Sequence, residues 1–265
     1  MSTEDTARDE LLRTWTQWRA DRDAGFKKPY GALSLVALHW LDEDEAESFD
    51  EVPGVWRVTG GQVTVTASAA DGLTLSGVPI DGETPIPLEH TTSGETLTYG
   101  DVVIEVIDRA GFAFRVRDPK APALAAFTTA PAYAPEARWI LDAAYEPIEG
   151  GKEVAIGSVV EGYGSTGTAV ATARFQLDGE EHTLLVFDDG GGAWTLFRDA
   201  TSGVTTNGSG RFIDIAAPGA DGRVLLDFNR SSNLPCAFND FSTCPVPPFE
   251  NRLTVAVEAG EKIPV

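Results

Sequence analysis

The polar residues best suited to do chemistry gather toward the C-terminal end, between positions 226 and 262. Asp227, Asn229, Arg230, Asn233, Asn251 and Arg252 stand there among Phe228, Phe238, Phe241 and Phe249. Pro235, Pro245, Pro247 and Pro248 stiffen the path between them. A connection this long inside a compact domain is usually functional or tightly packed. Upstream, Arg198-Asp199 and Gly210-Arg211 bracket a loop reading ATSGVTTNGS. In an acidic chain, arginines at loop ends imply either internal ion pairs, with Asp199 and Asp227 as partners, or a pocket for a carboxylate or phosphate. The expected ligand-binding set is Arg198, Arg211, Asp227, Asn229, Arg230, Asn233, Asn251 and Arg252, lining the mouth of a barrel and holding a small ligand, an anion among the possibilities.

Two residues are candidate catalytic groups, with the reaction and the question of enzyme or binding protein left open. His182 opens a strand after Asp178-Gly179, where an edge or rim position is the plainer account. Cys236 would serve as a nucleophile only beside a base or cation, for which Arg230 is the candidate. Cys236 and Cys244 are separated by seven residues, whereas zinc sites favour about two to four between paired cysteines, and there is no second pair. No metal and no cofactor are expected. A reducing cytosol opposes a disulfide, so the expectation is two reduced, buried thiols acting as compact apolar fillers beside their prolines. His39 beside Trp40 reads as a packed histidine, and His90 as an exposed loop residue.

Residues 162–167 match the pattern GxGxxG. A dinucleotide site needs a helix next, to hold the pyrophosphate at its N-terminus. Here Ala169, Ala171, Ala173, Phe175 and Leu177 alternate instead, which makes a strand and turns the glycines into a loop. There is also no GxSxG nucleophile elbow.

The elements that must position these residues are mainly β. Leu11, Leu12, Trp15 and Trp18 recur at helical spacing and predict an amphipathic N-terminal helix, with Thr6 and Asp9 as a capping box and Gly25 as its stop. Its stripe should dock on the sheet that follows. A second short helix or turn is expected over 33–41, and the acidic run 42–47 reads as a solvated face. Beyond residue 52 five Asp-Gly dipeptides, at 71, 81, 178, 189 and 221, punctuate short apolar runs, the chemistry of tight hairpins. The runs are 62–67, 73–75, 102–107, 112–116, 154–160, 168–177, 182–187, 194–197, 211–215, 224–228 and 253–257. Such short strands without intervening helices exclude a parallel βαβ fold and predict antiparallel meanders. A Pro- and Ala-rich stretch at 118–138 reads as a connector. The expected organisation is an N-terminal helix (1–25), a small antiparallel β-sandwich (26–120) and a larger antiparallel β-barrel-like half (121–265).

Composition narrows the partners. The 265 residues are 42% hydrophobic, enough for a core that needs no disulfides or metals. Against 20 Lys+Arg stand 41 Asp+Glu, a net charge of −21, which opposes nucleic acid and anionic membrane surfaces as partners and leaves a small molecule. The longest apolar run, 32–41, is about half a bilayer span. The opening MSTEDTARDE is acidic where a signal peptide would be basic, so the expected location is the cytoplasm. Oligomeric state is not readable.

The string DFNRSSNLPCAFNDFSTCPVPPFENRLTVAVEAGEK resembles the C-terminal signature of a bacterial and archaeal family known as domain of unknown function 1684. The likeness falls on Asp227, Phe228, Asn229, Arg230, Asn233, Pro235, Cys236, Ala237, Phe238, Thr243, Cys244, Pro245, Pro247, Pro248, Asn251, Arg252 and Leu253. Arg198 to Gly203, Gly210-Arg211 and Trp40-Leu41 extend it upstream. Asn207 and Ser232 stand where the family commonly has Tyr, and His39 where it has Phe, so any pocket those aromatics close would be wider here. The resemblance implies no particular activity. A weaker similarity, of residues 73–80 and Tyr99-Gly100-Asp101 to the strand–turn rhythm of forkhead-associated sandwiches, offers the alternative of a non-catalytic interaction module, by shape alone.

Overall fold

The computed structural model describes residues 3–88, 96–108, 111–188, 190 and 192–264. Two compact units make up the chain. One holds Gly25–Phe127 together with Asn239–Ser242; the other holds the stretch ending at Ala24, Thr128–Phe238 and the chain from Thr243 onward. His90 and Asp189 lie outside the described residues. Among the described residues no helix is long and apolar enough to cross a membrane.

The first unit is a two-sheet antiparallel sandwich. One sheet runs β1 (Leu35–Trp40), β10 (Phe112–Arg117), β9 (Val102–Asp108), β8 (Leu97–Tyr99), β5 (Leu73–Leu75) and β6 (Val78–Pro79). The other runs β2 (Ala46–Phe49), β3 (Val52–Thr59), β4 (Gln62–Ala67) and β7 (Gly82–Ile86). Alternate residues of both sheets meet in one core, where Trp56, fully buried, stacks on Phe114 at 4.4 Å between ring centroids. The helix or turn expected over 33–41 is a 3-10 turn, Ala32–Ser34, followed by strand β1. Its residues Leu35 and Ala37 are buried and pair with β10, so sheet pairing overrides local propensity. His39 is packed, with Nε2 3.1 Å from Glu51 and its ring 4.2 Å from Phe49. Residues 42–46 are exposed.

In the second unit β11 (Ile140–Ser158), β12 (Gly164–Leu177), β13 (Glu180–Asp188), β14 (Ala193–Phe197), β15 (Arg211–Ile215), β16 (Arg223–Asp227) and β17 (Ser232–Asn233) form a sheet in the order β16-β11-β12-β13-β14-β15-β17. The short β18 (Pro245–Val246) pairs with the end of β11. The sheet curls like a barrel without closing: β15 and β16 approach each other but share no ladder. Residues 164–177 are strand, as their alternation requires. Of the Asp-Gly dipeptides, Asp178-Gly179 forms a two-residue hairpin with both φ positive, at 52° and 83°. Gly60-Gly61 and Ser76-Gly77 make the other hairpins of this type among the described residues, a role the Asp-Gly pattern did not assign to them.

Helix α1 (Thr3–Phe26) begins upstream of Thr6, so Thr6 and Asp9 lie within the helix rather than capping it. Its stripe, expected to meet the sheet that follows, is engaged by the C-terminal part of its own unit. The Trp15 indole donates to the Asn229 carbonyl at 3.1 Å, and Arg19 and Arg22 both reach Glu261 at 3.0 Å. Glu261 is completely buried, and its other oxygen accepts the Asn233 backbone N–H at 2.7 Å. A buried carboxylate is stable only when paired and fully hydrogen-bonded. Satisfying this one recruits a helix from the other end of the sequence.

The segment after β18 is irregular yet largely internal. The run 253–257 was expected to be a strand; Leu253 and Val257 are buried as alternation requires, but no ladder forms. Its backbone is satisfied group by group instead. The Leu253 N–H reaches the Arg198 carbonyl at 2.8 Å, and Glu261 N–H reaches the Ser231 carbonyl at 2.8 Å. Arg211, fully buried, donates Nη2 to Asp199 at 2.8 Å and to the Val257 carbonyl at 3.0 Å, and Nη1 to the Ala259 carbonyl. Asp199 also accepts the N–H and hydroxyl of Thr201. Gly260, at φ +71°, presses against Ser231, whose carbonyl oxygen would stand 2.5 Å from an added Cβ.

Asn251 fills a gap in the sheet itself. β13 and β14 pair only at Phe187↔Trp194 and Asp188↔Ala193. Where they diverge, the Asn251 amide substitutes for the missing ladder: Oδ1 accepts from Leu185 N–H at 2.7 Å, and Nδ2 donates to the carbonyls of Leu185 and Leu196 at 3.0 and 2.9 Å. Asn251→Ala leaves the buried Leu185 N–H without this acceptor and takes a donor from the Leu196 carbonyl, while the Leu185 carbonyl keeps the Thr195 hydroxyl at 2.8 Å; it is expected to lower stability by roughly 2 kcal/mol, measured as a fall in the urea midpoint. Asp199→Asn leaves the Arg211 charge uncompensated in the core and is expected to cost about 3–5 kcal/mol, read by the same titration; replacing both residues with apolar ones of similar volume should cost much less.

Candidate functional site

The eight residues expected to bind a ligand fall into three groups. Arg211, Asn229, Asn233 and Asn251 are at most 1% exposed and are committed to internal bonds. Asn229 exchanges hydrogen bonds with the backbone of Glu136, accepting N–H at 2.9 Å and donating to the carbonyl at 3.0 Å. Asn233 donates Nδ2 to the Lys262 carbonyl at 2.8 Å. Burial pushes the Arg211 pKa down, and the nearby Asp199 carboxylate opposes that. These four do not face solvent. Asp227 and Arg230 form the second group and pair with each other at 3.1 Å, with Asp227 also capping the 3-10 turn Phe228–Arg230 through the Asn229 N–H.

Arg198 and Arg252 form the third. A parallel bridge sets their backbones side by side, where Arg198 N–H meets the Asn251 carbonyl at 3.0 Å. Among the described residues neither guanidinium has an acidic partner, although this chain has twice as many acids as bases. The Arg198 Nε is buried without a hydrogen-bond acceptor. Partial burial, and then the Arg252 charge beside it, hold the Arg198 pKa below the ordinary arginine value; the group remains a cation at neutral pH. Arg252 lies 5.4 Å from the ring centroid of Phe249, which is 79% exposed.

Strand alternation puts Arg198 on the same face of the β14 line as Trp194 and Leu196. That is the outer face of the β14–β15 ladder, opposite the core that receives Phe197, Ile213 and Ile215. It bears a cleft of ≈ 750 Å³ lined by Trp194, Leu196, Phe212, Ala216, Leu234 and Pro245, with Asp214 as its charged member. Trp194 is braced by Phe187 at 5.2 Å, and Phe212 by the Arg22 guanidinium at 5.8 Å. Pattern reading could find the two strands but not the cleft. It forms because the Leu234 and Pro245 segments, distant in sequence, are folded against the outer face.

The two candidate catalytic residues are not brought together. His182 pairs across the ladder with Phe175, ring centroids 5.7 Å apart, and its Nε2 is buried without a hydrogen-bond partner. It stands five residues from Phe187 along β13, about 17 Å at the strand rise. Cys236 is half-buried and lies against Cys244 rather than against Arg230 or His182.

A search of the curated proteins finds no match. Among solved structures, the solution NMR structure of an uncharacterized protein from Haloarcula marismortui is similar at 29% identity, covering 51% of this chain and 77% of that one, with a TM-score of 0.43. Residues 125–262 match the family model described as protein of unknown function (DUF1684). That stretch is more than half of the chain and contains every one of the eight residues above, and the protein belongs to this family.

Proposed function

We propose that the second unit binds a small amphipathic organic anion, with its apolar body in the β14–β15 cleft and its acidic group on Arg198 and Arg252. The observation that carries this reading is the pairing of two arginines without a carboxylate in a chain of net charge −21. Two like charges held together by backbone pairing repel each other, and a bound carboxylate or phosphate relieves the repulsion through charge-assisted bonds. A buried Nε without an acceptor adds a donor waiting for one.

The cleft supports the apolar half of the ligand. Its volume of ≈ 750 Å³ lies within the range of about 300–1,000 Å³ usual for small-molecule sites. Trp194 and Phe212 offer ring faces, and Asp214 at the cleft disfavours a second acidic group there. The role read here is recognition, and the scaffold is rigid where it matters: Asn251 fixes both the Arg252 backbone and the β13–β14 junction.

The test is calorimetric titration with 1-naphthoate and its neutral analogue 1-naphthalenemethanol. Naphthoate should bind more tightly, and added salt should weaken it alone. Arg198→Gln and Arg252→Gln should each weaken naphthoate by about tenfold, the worth of one charge-assisted bond, while Trp194→Ala weakens both compounds. Equal affinity for acid and alcohol, or indifference to both arginine substitutions, contradicts the reading.

A further inference from the structure

Cys236 and Cys244 occupy opposite ends of a loop, and the fold returns the chain so that their sulfurs meet. The Cys236 backbone N–H donates to Cys244 Sγ at 3.2 Å, and the two thiols hydrogen-bond each other. The Ser209 hydroxyl also reaches the Cys236 thiol. Both ends are anchored. Cys236 sits in the 3-10 turn Pro235–Ala237, closed by Phe238 N–H to the Pro235 carbonyl at 2.9 Å, while the Cys244 carbonyl accepts Val159 N–H at 3.0 Å just before β18. The contact is therefore built into the fold.

The two sulfurs differ in access: Cys244 is 6% exposed and Cys236 only partly buried. Hydrogen bonds from Cys244 and Ser209 lower the Cys236 pKa, against the opposing effect of burial. A partly exposed thiol in contact with a second thiol, its pKa lowered by the hydrogen bonds it receives, is the arrangement that permits oxidation and resolution within one chain. Two sulfurs make only half of a zinc shell, and among the described residues no third His, Cys, Asp or Glu joins them. Neither cysteine is in a disulfide. Of the two thiols expected to be buried, Cys244 is buried and Cys236 only partly so, with Ser209 and Cys244 donating to it in a way that the flanking prolines could not reveal.

We propose that Cys236 and Cys244 form a reversible dithiol–disulfide centre that reduces a hydroperoxide, with Cys236 attacking and Cys244 resolving. In the first step the Cys236 thiolate attacks the terminal peroxide oxygen. An S–O bond forms, the O–O bond breaks, and the departing oxyanion takes a proton and leaves as alcohol or water. Cys236 is then a sulfenic acid, and the peroxide has gained two electrons. In the second step the Cys244 sulfur attacks the Cys236 sulfur, the S–S bond forms, and hydroxide leaves with the Cys244 proton as water. Two thiols and one hydroperoxide thus yield one disulfide, one alcohol or water, and one further water. Return to the dithiol draws two electrons from an external thiol. This proposal is independent of the arginine pair and the cleft.

The test treats the reduced, desalted full-length protein with one equivalent of hydrogen peroxide and follows intact mass and titratable thiols. Both thiols should disappear together with the loss of two hydrogens in mass, and dithiothreitol should restore them. Cys244→Ser should trap the sulfenic acid on Cys236 as a dimedone adduct, and Cys236→Ser should react at least about tenfold more slowly than wild type, since the accessible thiolate is gone. Circular dichroism verifies that both serine variants keep their sheet. Survival of both thiols, gain of oxygen in the wild type without disulfide, or wild-type reactivity in Cys236→Ser overturns the proposal.

Discussion

A carboxylate and a guanidinium sealed away from water set the terms for the second unit. Asp199 and Arg211 are both without exposed side-chain surface and 2.8 Å apart. Coulomb attraction alone does not repay the desolvation of two such ions; the remaining donors and acceptors must be used as well. Asp199 meets that demand with Thr201, and the two terminal nitrogens of Arg211 meet it with Asp199 and the carbonyls of Val257 and Ala259, while its Nε is left without an acceptor. Those carbonyls belong to a segment with no ladder of its own. The ion pair thus does for residues 253–262 what a neighbouring strand would otherwise do. Glu261 extends the same logic to α1, whose Arg19 and Arg22 complete its shell.

This division of labour explains why a region so rich in polar side chains leaves so few of them free. Buried arginine and asparagine groups are consumed by backbone that regular structure does not satisfy. Among the described residues of the 198–262 region, two unneutralised arginines, an aromatic cleft and a half-exposed thiol are not consumed in this way. The groups beneath the arginine pair are packed in the core. Arg198, for example, alternates with Phe197, and Phe197 packs edge-on to Phe228 at 5.3 Å in the core.

Much of the fold was legible in the sequence. Alternation in 168–177 and 211–215 identified strands, and the helical stripe around Trp15 and Trp18 identified α1, because burial on one face imposes a period that any reader can count. Its docking partner was not legible. Arg19 and Arg22 sit three apart on that stripe, which was a usable signal that they share its buried face, yet nothing local points to Glu261, more than two hundred residues away. The alternation of Leu253, Val255 and Val257 correctly implied burial and wrongly implied a ladder, since a period of two reports facing and not partners. The candidate site followed the same rule. Arg198, Arg211, Arg230 and Arg252 look alike in sequence, and only the fold separates those consumed by Asp199 or Asp227 from those left over. The role of Asn251 could not be read at all, because it depends on the point at which β13 and β14 part.

Amide hydrogen exchange on the native protein tests most directly whether internal polar groups, rather than a ladder, hold the C-terminal segment. The amides of Leu253, Val257, Glu261 and Lys262 donate to the Arg198 carbonyl, the Asp199 carboxylate, the Ser231 carbonyl and the Pro131 carbonyl. The account predicts that these four exchange as slowly as the central strands β12 and β13, opening only with the unit as a whole. Exchange at the rate of an unstructured peptide, while β12 and β13 stay protected, would contradict it.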